Sequence, residues 1–115
     1  MAAGTYNITI DKGSDFEFTA EIKDSAGDAI NITSYTFKAE IRRKPETKLE
    51  KAFTITKTNA SAGTLKLALT DGDTRDLPVG KLRYDLTAKD GSNLIARYLT
   101  GTVTVNDAVT DTTGL

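Results

Sequence analysis

Residues 81–105, KLRYDLTAKDGSNLIARYLTGTVTV, restrict the chain more than any other stretch, because one local structure satisfies them: a long β-hairpin folded at Asp90-Gly91-Ser92-Asn93. Before the turn, Leu82, Tyr84, Leu86 and Ala88 alternate with Arg83, Asp85, Thr87 and Lys89. A period of two places one face of a strand on a core and the other in water. Asp-Gly followed by two small polar residues tolerates positive φ, and Gly91 is the natural occupant of that conformation. After the turn, Leu99, Val103 and Val105 point one way and Thr100, Thr102 and Thr104 the other, with Tyr98 on the opposite phase from Leu99. Gly101 interrupts the run. A glycine inside a strand marks a bulge, a bend or a close approach of backbone.

The rest of the chain repeats the device in shorter pieces. Residues 1–5 read as a loose N-terminal arm and 6–10 as a first strand, followed by a turn over 11–14. Residues 15–23, DFEFTAEIK, alternate cleanly, with Phe16, Phe18, Ala20 and Ile22 inward. A loop follows over 24–29, after which Ile30 and Ile32 pack as the chain crosses to a strand over 35–43, ended by Pro45. The mixed charges of 43–51, RKPETKLEK, read as an exposed loop. Ala52, Phe53 and Ile55 anchor a fourth strand reaching about Thr58, and 64–69 form a fifth with Leu65, Leu67 and Leu69 inward. Over 70–80 the alternation fails. Thr70 or Asp71 caps a single helical turn there, which Pro78 and Gly80 terminate.

About seven short strands with turn chemistry between them and no helical period predict an all-β fold, a sandwich or small barrel, and an antiparallel β-sandwich buries the stripes most simply between two sheets. The strand pattern alone leaves immunoglobulin-like and jelly-roll pairing both open. The expected core is Phe16, Phe18, Ile22, Phe37, Ile41, Phe53, Ile55, Leu65, Leu67, Leu82, Tyr84, Leu86 and Val103, within a sandwich domain spanning 6–105. Residues 106–115, NDAVTDTTGL, are small and polar and read as a flexible tail.

At 115 residues the chain is expected to form one domain that buries its own core without disulfides. It contains neither cysteine nor histidine, which excludes thiol nucleophiles, thiolate metal sites, and the commonest general base and zinc ligand. Fifteen Lys plus Arg against sixteen Asp plus Glu give a formal charge of −1, so no overall field draws the chain to nucleic acid or an anionic membrane. The first residues carry no charged and apolar leader, and no run approaches the roughly 20 apolar residues of a membrane helix. The Asn-Ile-Thr triplets at 7–9 and 31–33 are read as strand and turn residues.

The constellations that could carry chemistry each have a plainer reading. Asp71, Asp73 and Asp76 lie beside Gly72, but a calcium loop requires an oxygen ligand where Arg75 stands, so a cap with surface charges is expected and thermal stability should not respond to calcium. Arg42, Arg43 and Lys44 are followed by Glu46 and Glu50 without interleaved aromatics, and read as a solvated strand end. Glu17, Glu21, Glu40 and Asp85 fall on outward phases, and none of the serines, Ser14, Ser25, Ser34, Ser61 and Ser92, stands in a nucleophile motif. The inward aromatics, Tyr35 among them, are core before they are a sugar platform. No catalytic, cofactor-binding or metal-ligating residue is assigned.

The order of features resembles the immunoglobulin-like β-sandwich domains of tailed-bacteriophage virion proteins, and is similar to the N-terminal domain of upper-baseplate proteins. The likeness is carried by Ile10-Asp11-Lys12-Gly13-Ser14-Asp15-Phe16, by Ile30-Asn31-Ile32-Thr33-Ser34-Tyr35, by Asp76-Leu77-Pro78-Val79-Gly80 leading into Tyr84-Asp85-Leu86, and by Asp90-Gly91 with the close 97–105. Leu82 departs from it. An aromatic is expected at that first inward position of the hairpin, so the resemblance gives no tyrosine-corner hydrogen bond there. The resemblance implies an immunoglobulin-like fold and a non-enzymatic structural protein without cofactors. It implies a tail or baseplate adaptor or peripheral subunit, located in the virion after synthesis in the host cytoplasm. Its implied partners are other virion proteins and copies of itself, with no nucleic acid, membrane or small-molecule substrate. A capsid decoration protein is the near alternative, and a carbohydrate-binding or adhesin module the alternative from another class.

Overall fold

The computed structural model describes residues 4–44 and 48–110. The described residues form nine strands, one short α-helix and a 3-10 turn (Ala60–Ala62): β1 (Gly4–Thr5), β2 (Ile8–Asp11), β3 (Phe16–Glu21), β4 (Thr36–Arg42), β5 (Leu49–Ala52), β6 (Thr54–Asn59), β7 (Thr64–Leu69), α1 (Asp71–Arg75), β8 (Gly80–Lys89) and β9 (Ile95–Asn106), with the 3-10 turn between β6 and β7. They form two sheets. One has the order β1-β9-β8-β4-β5 with β2 also on β9, and the other β3-β7-β6. Pairing the third, seventh and sixth strands against the ninth, eighth and fourth is the immunoglobulin-like arrangement. The fold is therefore an all-β sandwich of that type, and the jelly-roll alternative falls away.

The stripes expected from alternation lie between the sheets. Ile22, Ile41, Phe53, Leu65, Leu67, Leu82, Tyr84, Leu86 and Val103 are buried, joined by Ile8, Ile10, Ile32, Leu69, Leu77 and Val105. Phe16, Phe18, Phe37 and Ile55 point to the correct side but are only partly buried against this core. Their strands explain it. β3 and β6 are the two edges of a three-stranded sheet, so their inward residues sit at the rim of the sandwich. Phe37 lies at the start of β4, where the smaller sheet meets its ring with the Lys57 side chain of β6.

Several local expectations are corrected. The end of the stretch read as an exposed loop, with Ala52 of the expected fourth strand, forms β5 (Leu49–Ala52), antiparallel to β4 with a register shift at Ile41/Arg42. A charged edge strand needs no alternation, because charge itself discourages further pairing. Pro45, taken as the end of the preceding strand, and Glu46 lie outside the described residues. The expected fourth strand is two strands that belong to different sheets, and the chain crosses between them at Phe53, whose N–H donates to Ala39 O at 3.0 Å. Gly4 and Thr5 of the expected arm pair with Leu99 and Thr100, and Asn106 of the expected tail closes β9 opposite Asp11. β1 and β2 run parallel to β9, so the fold is antiparallel-rich and not wholly antiparallel. The hairpin turn places positive φ on Asn93 (66°), not on Gly91. Asp90 Oδ1 accepts from the N–H groups of Ser92 and Leu94 and holds that turn closed. Beyond it the register shifts so that Leu86 faces Leu99 while Thr87 faces Arg97, leaving Tyr98 as the bulged residue.

Candidate assembly surfaces

The α1 corner is built from its own polar side chains. Thr70 caps the helix by accepting from Asp73 N–H, and the Asp73 carboxylate accepts from Thr70 N–H in return, a reciprocal capping box. Thr74, fully buried, accepts from Gly13 N–H at 3.0 Å and donates to Ser14 O at 2.8 Å, which fastens the β2–β3 turn to the helix. The three aspartates considered for calcium have other partners. Asp71 meets Arg75 at 2.6 Å, and Asp73 and Asp76 both approach Lys51, at 3.8 and 3.0 Å. The hydrogen bond to Asp76 raises the Lys51 pKa.

The basic run at the end of β4 is divided between carboxylates: Arg42 pairs with Glu40 at 2.8 Å and Arg43 with Glu50 at 3.4 Å. Across the outer face of the larger sheet, Arg97 pairs with Asp85 at 3.1 Å beside Arg83. Signs alternate over this face. It offers polar, charge-matched contact and no single-sign field for a phosphate backbone.

A different surface forms where the sheets part. The Tyr84 hydroxyl donates to Tyr6 O at 2.6 Å, so a tyrosine-to-backbone bond does occur in the hairpin, two residues after Leu82. Gly101 makes room for it. A Cβ at that position would lie 2.2 Å from Tyr6 O, which resolves the three readings of this glycine in favour of a close backbone approach. Burial pushes the Tyr84 phenol up to about 12. Phe18 is the hub of the aromatics there, 5.2 Å from Tyr6, 6.0 Å from Phe16, 6.1 Å from Phe53 and 6.2 Å from Tyr84 between ring centroids. Between β1 and β3 this leaves an open groove of about 310 Å³ lined by Tyr6, Phe18, Ala20 and Leu99 among others.

The hairpin end presents a second apolar surface. Leu94 and Ile95 are 68% and 74% exposed beside the Asp90 turn. Tyr35 stacks on Phe37 at 6.0 Å, both only partly buried, with the Lys57 ammonium 6.0 Å from the Phe37 ring centre. Burial, followed by the neighbouring Tyr35 and Asp90, raises the Tyr98 pKa. Isolated exposed aliphatics are ordinary, but Leu94 and Ile95 are adjacent at the tip of the longest hairpin; Ile95 shares the outer face with Lys89, while Phe37, level with Ala88, is incompletely covered on the inner face. Alternation could not show this, because it assigns a side of a sheet and not whether the opposite sheet reaches that far.

No family model matches the chain. Nor does any curated protein. Among solved structures the chain is similar to an arginine-to-glutamate mutant of the SrpA adhesin from Streptococcus sanguinis, with a TM-score of 0.52 and 14% identity, over 87% of this chain and 54% of that one. The chain thus spans about half the length of that adhesin chain. With 185 matching solved chains, the fold is a widely shared one and does not by itself name an activity.

Proposed function

We propose that this chain is a non-enzymatic virion structural protein of a tailed bacteriophage, a small tail or baseplate adaptor or peripheral subunit that works by protein–protein assembly. The observation that carries the reading is where the exposed apolar side chains lie. Tyr6 and Phe18 line the open margin between the sheets, and Leu94 and Ile95 crown the hairpin tip. Both are places where a neighbouring subunit, and not a small substrate, would remove apolar surface from water. The motif order from Ile10 to Val105 supports the phage setting, and localisation in the virion follows from it.

The test is to locate the chain in intact particles by electron microscopy and to measure incorporation of a form lacking 106–115. A tail, baseplate or head position supports the reading, with a head position selecting the decoration-protein variant. Absence from particles overturns it. A second reading, a carbohydrate-binding or adhesin module, draws on the likeness to an adhesin fold and on the partly covered Tyr35, Phe37 and Tyr98. A glycan array separates the two, because such a module binds a sugar as an isolated protein and an assembly subunit does not.

A further inference from the structure

The immunoglobulin-like scheme can place its first strand beside the second, closing the smaller sheet. Here β1 and β2 lie on β9 instead, and among the described residues no strand pairs with the outer edge of β3, which β1 approaches only across the margin groove. Ile22 turns both backbone groups toward the β7 side, donating to Gly63 O at 2.8 Å and accepting from Ile30 N–H at 3.0 Å. Since these directions alternate along an antiparallel strand, Glu17, Thr19 and Glu21 aim their N–H and C=O groups at the open edge. Among the described residues β3 is also the longest edge strand free of a register shift, since β5 and β6 are both interrupted and β2 has four residues. Such an edge is a template for pairing.

We propose that this edge binds a second copy of the chain, β3 against β3 about a two-fold axis, joining the two small sheets into one. Charge chooses the occupant and the register. With the axis at Ala20, Glu17 faces Lys23 of the second copy, Thr19 faces Glu21, and Phe18 faces Ile22 on the inner side. Moving the axis to Thr19 sets Glu17 against Glu21, and moving it to Glu21 sets that carboxylate against itself, arrangements that like-charge repulsion disfavours. Of these three registers, the one about Ala20 opposes no like charges and pairs Glu17 with Lys23. Lys23 and Glu21 are free to exchange partners, being half-exposed in their present contact at 3.5 Å. The added strand also covers Phe18 and the margin groove, the self-complementary use of one patch that a two-fold interface requires.

The proposal names a surface for the assembly role above and rests on that role, but it is tested on the isolated protein, whereas particle incorporation tests the role itself. Sedimentation equilibrium from about 1 µM to about 1 mM should show a monomer–dimer equilibrium. Thr19→Pro, which removes an edge donor, and Glu17→Lys, which opposes two lysines, should each weaken the dimer about tenfold or more. Thermal unfolding of each variant controls for the fold. The decisive variant is the double exchange Glu17→Lys with Lys23→Glu, expected to restore association to within about threefold of the unaltered chain. A chain that stays monomeric at about 1 mM overturns the proposal. So does a dimer indifferent to Thr19→Pro but lost on Leu94→Asp, which would put the contact at the hairpin tip, and so does failure of the exchange to restore association.

Discussion

Along one flank of the sandwich the two sheets end in opposite ways. The larger sheet is finished by β1 and β2, with Tyr84 bonded to Tyr6 O and Asn7 Oδ1 accepting from Thr102 N–H, while among the described residues no strand pairs with the outer edge of β3 in the smaller sheet. A chain has one first strand to place. Placing it on β9 completes the hairpin sheet and leaves the other sheet to be completed from outside, so the fold's own economy of strands creates the surface on which assembly can act.

The largest expected effect is on the closed side. Gly101→Ala forces a Cβ against Tyr6 O and C at 2.2 and 2.8 Å, both backbone atoms, so β1 must move; about 3 kcal/mol of stability should be lost in denaturant unfolding. A loss under about 1 kcal/mol would mean that the first strand is not held as described.

Next is alkaline pH. The folded Tyr84 phenol ionises at about 12, above the ordinary value of 10.0, so the unfolded chain releases this proton first. Stability from this residue is therefore complete below pH 10 and falls as pH rises toward 12, by about 2 to 3 kcal/mol at the limit. Tyr84→Phe should flatten that fall in an unfolding series against pH.

On the bare side the effects shrink. Phe18→Ala should cost about 2 kcal/mol, short of the 3 to 5 kcal/mol of a fully enclosed phenylalanine, because the ring is covered from one flank only. The smallest belongs to Thr19→Glu, which sets a second carboxylate against Glu21 of the other copy and should change stability by under about 0.5 kcal/mol while abolishing association, read by sedimentation beside calorimetry. A large stability loss there would show that the β3 edge is internally supported and erase the contrast between the flanks.

The sequence made one half of this contrast visible. Alternation assigned Phe18 and Leu67 to the same interior, and both face it, yet Leu67 is fully buried on the central strand while Phe18 stands at a rim. Period two reports the face of a sheet; lateral position depends on which strands become neighbours, a long-range choice with no local pattern. Gly101 could be recognised as a place of unusual backbone, but its partner, the Tyr6 carbonyl ninety-five residues earlier in the chain, could not. Thr70 was legible as a cap because its chemistry is local. Leu77, fully buried, was not, since it follows a helical turn where neither period applies.

The parallel seating of the first strand on the last also decides how the domain would carry a load. The chain enters β1 at the level of Leu99 and leaves β9 at the level of Asp11, opposite ends of the same run of rungs. Tension applied through the two ends therefore drags β2 and β9 past each other, and the rungs from Ile8–Val103 to Asp11–Asn106 resist in shear together, where an antiparallel pair pulled from one end would unzip them singly. Forced unfolding is governed by that barrier and not by equilibrium stability, so a domain of ordinary thermal stability with this seam would be a strong link when pulled end to end.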